Sequence, residues 1–298
     1  MLTLFPSEPF QIKRVDPDYA RERDAARDAG LGIGLIDLEA LIAGDAHAAV
    51  ARVADGDGSQ ACIYRGWMVT PERYAALAAS LSEIGWPMLT APDQYRRAHN
   101  LPLAYDAIRD ATPATVWTTD LPLTRSAIQA LVAPFGNQPI VIKDFVKSRK
   151  HEWNEAFYMP SAADLDHVEA VTNTFVERQG EDLAGGIVYR EFVPLASVGK
   201  HPRSGISLSL EYRAFVFQGE ILLSTPYWDD AVYPEASLPY DDFLPLVKDI
   251  SPFLSMDIAQ TAQGGWIIVE VGDGQVSGLA ENVDVAEFYR RMSLASGR

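Results

Sequence analysis

The chain has 298 residues, of which 48% are apolar and 22% charged, values typical of a folded globular protein. Its formal net charge of -16 argues against a broad nucleic-acid-binding surface, which needs clustered positive charge to neutralise phosphates. Cys62 is the only cysteine, which excludes an intrachain disulfide and a cysteine-based zinc site.

The amino terminus lacks the basic leader and long apolar core of a signal peptide. No apolar run approaches the roughly 18 residues that a membrane span requires. We therefore expect a cytoplasmic protein that binds neither membrane nor nucleic acid.

Residues 1–112 alternate between strand and helix patterns and are predicted to form a small α/β lobe. The clearest helix begins after Thr70 and Pro71, which suit the N-cap and the first turn, and it ends at Gly85. The lobe contains no Gly-x-Gly-x-x-Gly turn, so nothing in it indicates a dinucleotide-binding fingerprint.

A predicted strand at 140–142 leads directly into a cationic loop. Five of the nine residues from Lys143 to His151 are Lys, Arg or His, in a chain that is otherwise acidic. One interpretation is a phosphate cradle made by a strand lysine, loop amides, Ser148 and further cations. The other is a solvated loop with a few surface ion pairs, and this stretch alone does not decide between them.

Two hairpins are predicted in the last third of the chain. In the first, Gln218 and Gly219 form the turn, and the period of two places Glu211 and Arg213 on one face. That pair is either an exposed ion pair of little energetic weight or part of a ligand-facing group.

The second hairpin, with its turn centred on Gln263 and Gly264, places Asp257 directly opposite Glu270. Their Cβ atoms would lie roughly 4.5–5.5 Å apart, so one carboxylate must take up a proton or a cation must lie between them. Magnesium suits such a pair, because it binds a few carboxylates together with phosphate oxygens. A bulge or a shifted register that turns one carboxylate to solvent is the alternative. Asp273, flanked by glycines, either reaches the same ion or makes a turn.

The order of these pieces resembles the ATP-grasp superfamily over nearly the full chain. The similarity is greatest to short bacterial ATP-grasp domain-containing proteins, and it rests on the segments 141–148, 189–193, 211–216 and 266–271 together with Asp257. The resemblance implies an α/β and α+β protein with the ATP-grasp fold. A Rossmann-like pre-grasp lobe (1–112) would precede an ATP-grasp domain (113–298), whose lobes 113–193 and 194–298 clamp the nucleotide.

The resemblance also implies roles for individual residues. ATP would contact Lys143, Lys147, Ser148 and Glu211, and the backbone of a hinge formed by Glu191, Phe192 and Val193. Phosphoryl transfer would be assisted by Lys147, Arg149 and Arg213. Magnesium would be held by Asp257 and Glu270, with Asp273 as a candidate third ligand because Gly272 stands where such enzymes usually have asparagine. Arg190 and Arg65 are expected to contact the substrate. For Arg65 the alternative is a surface arginine packed on Trp67.

The activity that the resemblance implies is ATP-dependent ligation of a carboxylate to an amine, by way of an acylphosphate, with release of ADP and phosphate. ATP and magnesium would be the cofactors. The partners would be a small-molecule or peptide substrate bearing a carboxylate and an amine co-substrate; a homodimer stays open. A kinase acting on the same fold and a non-catalytic nucleotide-binding module are the alternatives.

Overall fold

The amino-terminal lobe is built around one strand, β1. The computed structural model describes residues 1–200, 207–229, 231–281 and 283–297. β1 (Leu2–Glu8) pairs antiparallel with β2 (Gln11–Val15) and parallel with β3 (Gly32–Ile36) and β4 (Cys62–Tyr64). The helices of this part of the chain are α1 (Ala20–Asp28), α2 (Leu38–Ala43), α3 (Ala46–Val50), α4 (Pro71–Glu83), α5 (Pro92–His99) and α6 (Leu101–Ile108).

Helix α4 begins and ends as its sequence predicts. The hydroxyl of Thr70 accepts a 3.3 Å hydrogen bond from the amide of Arg73, and Pro71 occupies the first turn. After the helix, Gly85 has φ +82°, and a Cβ there would lie 2.3 Å from the carbonyl oxygen of Gly56. Glycine is therefore required where the chain leaves the helix.

The central lobe is an antiparallel sheet covered by helices. Its strands, β5 (Thr115–Thr118), β6 (Ile140–Asp144), β7 (Tyr158–Met159) and β8 (Ile187–Glu191), are ordered β5-β8-β6-β7. The helices are α7 (Arg125–Val132), α8 (Trp153–Ala156) and α9 (Leu165–Gln179). Helix α9 buries Val168, Val171 and Phe175 in the core of this lobe.

The carboxyl-terminal lobe contains the two predicted hairpins. Its main sheet has the order β12-β11-β13-β14, formed by β11 (Glu211–Phe217), β12 (Glu220–Pro226), β13 (Phe253–Gln260) and β14 (Trp266–Asp273). A two-stranded sheet, β9 (Ser197–Lys200) with β10 (Ser207–Ser209), precedes it, and the helices are α10 (Tyr240–Val247) and α11 (Val285–Ser296). Within the described ranges, no helix is both long enough and apolar enough to cross a membrane.

The amino-terminal part of the chain packs on both faces of the β11–β14 sheet. On one face, Phe215 and Phe253 share a core with Phe5 of β1 and with α11. On the other face, Leu254 and Ile258 pack with residues of α5 and α6. Residues before 112 therefore share their hydrophobic core with residues after 194.

The register of the second hairpin brings Asp257 opposite Glu270, as the sequence predicts. The predicted turn centre is nevertheless wrong by one position, because Gln260 pairs with Trp266 and not with Ile267. A bulge at Val269, where the register shifts between Asp257 and Ile258, restores the predicted pairing. The first hairpin has the expected turn, with positive φ at both Gln218 and Gly219.

Candidate active site

A row of polar side chains crosses the main sheet of the carboxyl-terminal lobe. Thr225, Arg213, Asp257 and Glu270 are direct partners in order across β12, β11, β13 and β14. Residues paired in this way project from the same face of an antiparallel sheet. The two carboxylates and the arginine therefore share one face, on which Lys143 from the central lobe also arrives.

Arg213 neutralises the first of these carboxylates. Its Nε and Nη2 atoms donate to the two carboxylate oxygens of Asp257, each at 2.7 Å. Asp257 is 3% exposed. Burial raises the pKa of Asp257, and the two hydrogen bonds from Arg213 oppose that rise. The bidentate pair thus holds a buried carboxylate that has little contact with water.

Lys143 neutralises the second carboxylate from the facing sheet. Its Nζ atom lies 2.9 Å from Oε1 of Glu270, which joins β6 of the central lobe to β14 of the carboxyl-terminal lobe. Although desolvation alone would raise it, the pKa of Glu270 is lowered by this ammonium and by Arg213. The ionised carboxylate and its lysine therefore mark the contact between the two lobes.

The cationic loop after β6 is shaped by Asp144, a residue that the sequence analysis did not single out. Its fully buried carboxylate accepts hydrogen bonds from the amides of Val146 and Lys147, from Gln179 Nε2 at 2.7 Å and from the amide of Ala184 at 3.2 Å. An acidic residue that accepts from amides two and three positions ahead is the Asx-turn pattern, which a short-range reading of the sequence could have found. Asp144 thereby sets the path of the loop.

Two of the predicted phosphate-binding residues lie on this loop with their side chains available. Lys147 is exposed, and its ammonium makes no hydrogen bond or ion pair within the described part of the chain. Ser148 is half-buried and its backbone bridges to Lys143 at the end of β6. Both residues therefore lie close in the chain fold to the Lys143–Glu270 pair.

Arg149 does not join the site, contrary to the expectation of a catalytic role. Its Nε and Nη2 atoms donate to Glu152 at 3.0 and 2.6 Å, and Nη1 donates to the carbonyl of Arg178 and to the side chain of Gln179. The guanidinium is thus used to fasten the loop to the end of α9. The spacing of three between Arg149 and Glu152 was the signal for this pairing.

Arg65 is a core residue, which corrects both predictions made for it. It is 1% exposed, and its guanidinium donates to both oxygens of Glu22 at 2.8 and 2.9 Å and to the carbonyls of Gly274 and Ser277. Tyr289 donates a further 2.6 Å hydrogen bond to Glu22. The guanidinium has no free face for a substrate carboxylate and does not lie on the surface.

Arg190 reaches the edge of the site but is committed to the backbone. Its Nη1 atom donates to the carbonyl of Val269 at 2.6 Å, and Nη2 donates to the hydroxyl of Thr112. Burial lowers the pKa of Arg190 to about 10. Arg190 therefore ties β8 to the bulge in β14, and the expected substrate contact is not available to these donors.

Asp273 is separated from the other two predicted metal ligands. It is 1% exposed, and its Oδ1 atom accepts hydrogen bonds from the amide and the side chain of Gln275 at 2.9 and 3.1 Å. Asp273 pairs with Leu254, whose side chain belongs to the core on the face away from Arg213. Burial raises the pKa of Asp273 to about 7. It does not act as the third ligand.

The space next to Glu270 holds hydroxyl groups where the third ligand was sought. A Cβ at Gly272 would lie 2.9 Å from Oγ of Ser255, which in turn lies 2.7 Å from Oγ of Ser277. Among the described residues, no group of three or more His, Cys, Asp or Glu side chains is placed to hold a metal ion. The opposed carboxylates of Asp257 and Glu270 still fit magnesium, which takes one or two carboxylates and completes its shell with water and phosphate oxygens.

The predicted hinge lies where β8 leaves the central sheet. The amides of Glu191 and Phe192 donate to the carbonyls of Ala114 and Pro139 at 2.8 and 2.9 Å. In the described part of the chain, the amide of Val193 makes no backbone hydrogen bond, so it is the hinge donor available to a ligand. The ring of Phe192 packs edge-on against an aromatic cluster with Trp153 and Tyr158.

Glu211, expected to contact the nucleotide, is buried at the start of β11. It is 7% exposed and accepts a 2.7 Å hydrogen bond from the hydroxyl of Ser209. Burial raises the pKa of Glu211 to about 7, while Lys150 acts to lower it. The carboxyl group therefore titrates near neutral pH.

Two further residues border the site without having been assigned a role from the sequence. Lys150, counted only as one of the loop cations, places its Nζ atom 3.3 Å from the hydroxyl of Tyr227 across the cleft. His99 stacks on Tyr95 with ring centres 5.1 Å apart. Burial and the nearby Lys147 lower the pKa of His99 to about 4, so its ring is neutral. Nothing in the sequence around His99 indicated this position.

Comparisons with known proteins agree with this architecture. A family model described as an ATP-grasp domain, clade family 3, matches residues 134–292, just over half of the chain. No curated protein matches the sequence.

Three solved structures illustrate the similarity in fold. A RimK domain ATP-grasp protein from Sphaerobacter thermophilus is 15% identical, with a TM-score of 0.60 over 98% of this chain and 99% of that one. The D-cycloserine synthetase DcsG is 13% identical, with a TM-score of 0.61 over 99% and 100%. The macrocyclase MdnC from Microcystis aeruginosa, bound with the precursor peptide MdnA, is 16% identical, with a TM-score of 0.57 over 99% and 100%.

At these identities the structural similarity establishes the fold alone. The family match adds the assignment that the fold cannot give. With the strand lysine, the cationic loop and the opposed carboxylates all inside the matched range, the chain belongs to the ATP-grasp superfamily, in the domain family whose model it matches.

Proposed function

We propose that this chain is an ATP-dependent carboxylate–amine ligase that forms an amide and releases ADP and phosphate. The observation that carries the proposal is the pairing of Lys143 with Glu270 and of Arg213 with Asp257 on facing sheets. Two carboxylates held together by basic side chains form a site in which each partner can be exchanged. A polyphosphate takes up the cations and a divalent ion takes up the carboxylates.

The nucleotide would lie between the central and carboxyl-terminal sheets. Lys143 would contact its phosphates from β6, and Lys147 and Ser148 would contact the outer phosphates from the loop that Asp144 shapes. The available amide of Val193 supports the expectation that the hinge reads the adenine edge. Asp257 and Glu270 would hold magnesium, which when bound would neutralise phosphate charge.

Each step of the proposed reaction balances with these residues. An oxygen of the substrate carboxylate bonds to the γ-phosphorus as the bond from that phosphorus to ADP breaks, which gives an acylphosphate and ADP. A neutral amine then bonds to the acyl carbon, phosphate leaves, and the amine nitrogen loses a proton. Arg213 and Lys147 would stabilise the charge that develops on the transferred phosphoryl group.

The substrate class follows from the chemistry of the site and from the relatives. One similar structure is a synthetase for a small molecule and another is a macrocyclase bound with a peptide. We therefore propose an amino acid or a peptide as the carboxylate substrate.

Hydroxylamine provides the test, because it is a small nucleophile that converts an acylphosphate into a hydroxamate. The purified chain is incubated with ATP, magnesium, hydroxylamine and pools of amino acids or short peptides, and ADP and hydroxamate are measured. The proposal expects equal amounts of both from at least one pool, and neither with the Asp257→Asn variant. ADP without hydroxamate, with phosphate found on a hydroxyl, would identify a kinase instead.

A nucleotide-binding module without turnover is the second candidate. The observation that favours it is Gly272, which supplies no ligand at the position next to Glu270 where Ser255 fills the space. This candidate expects the chain to bind an ATP analogue with magnesium and to release no ADP from any pool.

A further inference from the structure

Lys150 extends from the central lobe into a group of side chains on the carboxyl-terminal lobe. Its Nζ atom lies 5.1 Å from the ring centre of Tyr227 and 5.4 Å from that of Trp228, with the Tyr227 hydroxyl at 3.3 Å. Glu211 lies close enough for its charge to act on that ammonium. We call Glu211, Tyr227 and Trp228 the ammonium cage.

The cage is held in place by hydrogen bonds that do not involve Lys150. Trp228 Nε1 donates to the hydroxyl of Ser209 at 3.1 Å, and that hydroxyl donates to Glu211 at 2.7 Å. The amide of Tyr227 donates to the carbonyl of Glu211 at 2.9 Å, and the amide of Trp228 donates to Oη of Tyr233 at 3.1 Å. The rings and the carboxyl group are therefore a built site and would persist if Lys150 withdrew.

The chemistry of the cage is that of alkylammonium recognition. A cation over the faces of two aromatic rings is attracted by their quadrupoles, and a nearby carboxylate and phenolic oxygen add charge and a hydrogen-bond acceptor. Although burial opposes it, the pKa of Lys150 is raised by Tyr227 and Glu211. The surroundings thus favour the protonated amine over the neutral one.

The cage lies next to the proposed site of acyl transfer. The ring of Tyr227 lies 5.1 Å from the guanidinium carbon of Arg213, the residue that pairs with Asp257. Lys150 itself comes from the same cationic loop as Lys147. A polyphosphate on that loop would attract the Lys150 ammonium and leave the cage open.

We propose that the ammonium cage is the binding subsite for the primary ammonium group of the amine co-substrate, and that Lys150 occupies it in the nucleotide-free chain. The identity of the guest as a co-substrate rests on the proposed ligase function, whereas the binding of an ammonium does not. The guest is bound as its protonated form and competes with Lys150 for the two rings.

Binding of n-butylammonium chloride, measured by isothermal titration calorimetry, tests the proposal without any turnover. The Lys150→Met variant empties the cage and should bind n-butylammonium about tenfold more tightly than the unaltered chain, which corresponds to one competing cation–π contact. Adding Trp228→Leu to that variant should abolish the gain. n-Butanol, which has no charge, should not bind detectably to any of the variants.

Lys248→Met is the matched control, because Lys248 is exposed on the carboxyl-terminal lobe and the substitution removes the same charge. Thermal unfolding of each variant verifies that it is folded. The proposal is overturned if Lys150→Met binds n-butylammonium no better than Lys248→Met. It is also overturned if the gain survives the loss of Trp228, or if the only effect of Lys150→Met is weaker binding of an ATP analogue.

The hydroxylamine assay separates this proposal from the ligase function. Hydroxamate formation together with no gain in n-butylammonium binding would remove the cage assignment and leave the ligase. A gain in binding together with no ADP release from any substrate pool would remove the ligase and leave an ammonium-binding site.

Discussion

Lys143 on β6 and Glu270 on β14 form a 2.9 Å ion pair that joins the sheets of two lobes at the centre of the candidate site. The Lys143 side chain is 10% exposed and the Glu270 side chain 45%. The charges that a nucleotide and its metal would need are therefore already balanced against each other in the empty chain. Ligand binding must replace this pair, so its lysine should matter more for binding than for folding.

Replacing Lys143 by Met should weaken binding of a non-hydrolysable ATP analogue with magnesium by about 10- to 100-fold, because a charge-assisted phosphate contact is lost. The free energy of unfolding should fall by less than about 1 kcal/mol, since the partially exposed Glu270 can be solvated. Calorimetric titration and urea unfolding measure the two effects. Lys248→Met should change neither, and unaltered analogue binding by the Lys143 variant would contradict the proposed nucleotide position.

Arg65 should behave in the opposite way, because it is a core residue. Arg65→Met leaves the buried carboxylate of Glu22 without its counter-charge, and we expect the free energy of unfolding in urea to fall by about 3–5 kcal/mol. Adding Glu22→Gln should recover part of that loss, since no unpaired charge then remains. Unaltered stability together with a raised KM for the acid substrate would restore the expectation that Arg65 holds a substrate carboxylate.

The sequence predicted best what depends on short-range periodicity. Alternation along β11 and β13, together with two tight turns, was enough to pair Asp257 with Glu270. Part of this success was fortuitous, because the predicted turn centre was off by one residue and the bulge at Val269 compensated. A bulge depends on contacts with neighbouring strands, here including Arg190, and a single chain of letters does not contain them.

The arginines and Asp273 were predicted less well, for a physical reason. A guanidinium binds whichever acceptor the fold brings to it, and for Arg65 that acceptor is Glu22, 43 positions away in the chain. Asp273 was excluded by the face of the strand from which it projects, which the sequence analysis noted but did not weigh against the chemistry. The cage around Lys150 joins residues of two lobes and was beyond reach for the same reason.

Asp273 should make stability depend on pH in a direction that is unusual for a carboxylate. Its carboxyl is buried, its Oδ2 atom has no hydrogen-bond partner in the described part of the chain, and burial raises its pKa from the usual value to about 7. Between the unfolded pKa near 4 and the folded pKa near 7, the folded state holds a proton that the unfolded state has lost. The contribution is therefore fully present below about pH 4 and is lost as the pH rises through 7.

Asp273→Asn removes the charge while an amide oxygen can still accept from Gln275, so it should cancel this pH dependence. Relative to the unaltered chain, we expect the variant to gain on the order of 2–4 kcal/mol between pH 4 and pH 8. Urea unfolding at pH 4, 6 and 8 measures the difference, in which titrations common to both proteins cancel. Asp55→Asn, at an exposed carboxylate, should give a difference that is flat with pH. A flat difference for Asp273→Asn as well would mean that the carboxyl is ionised in the folded chain and has found a cation.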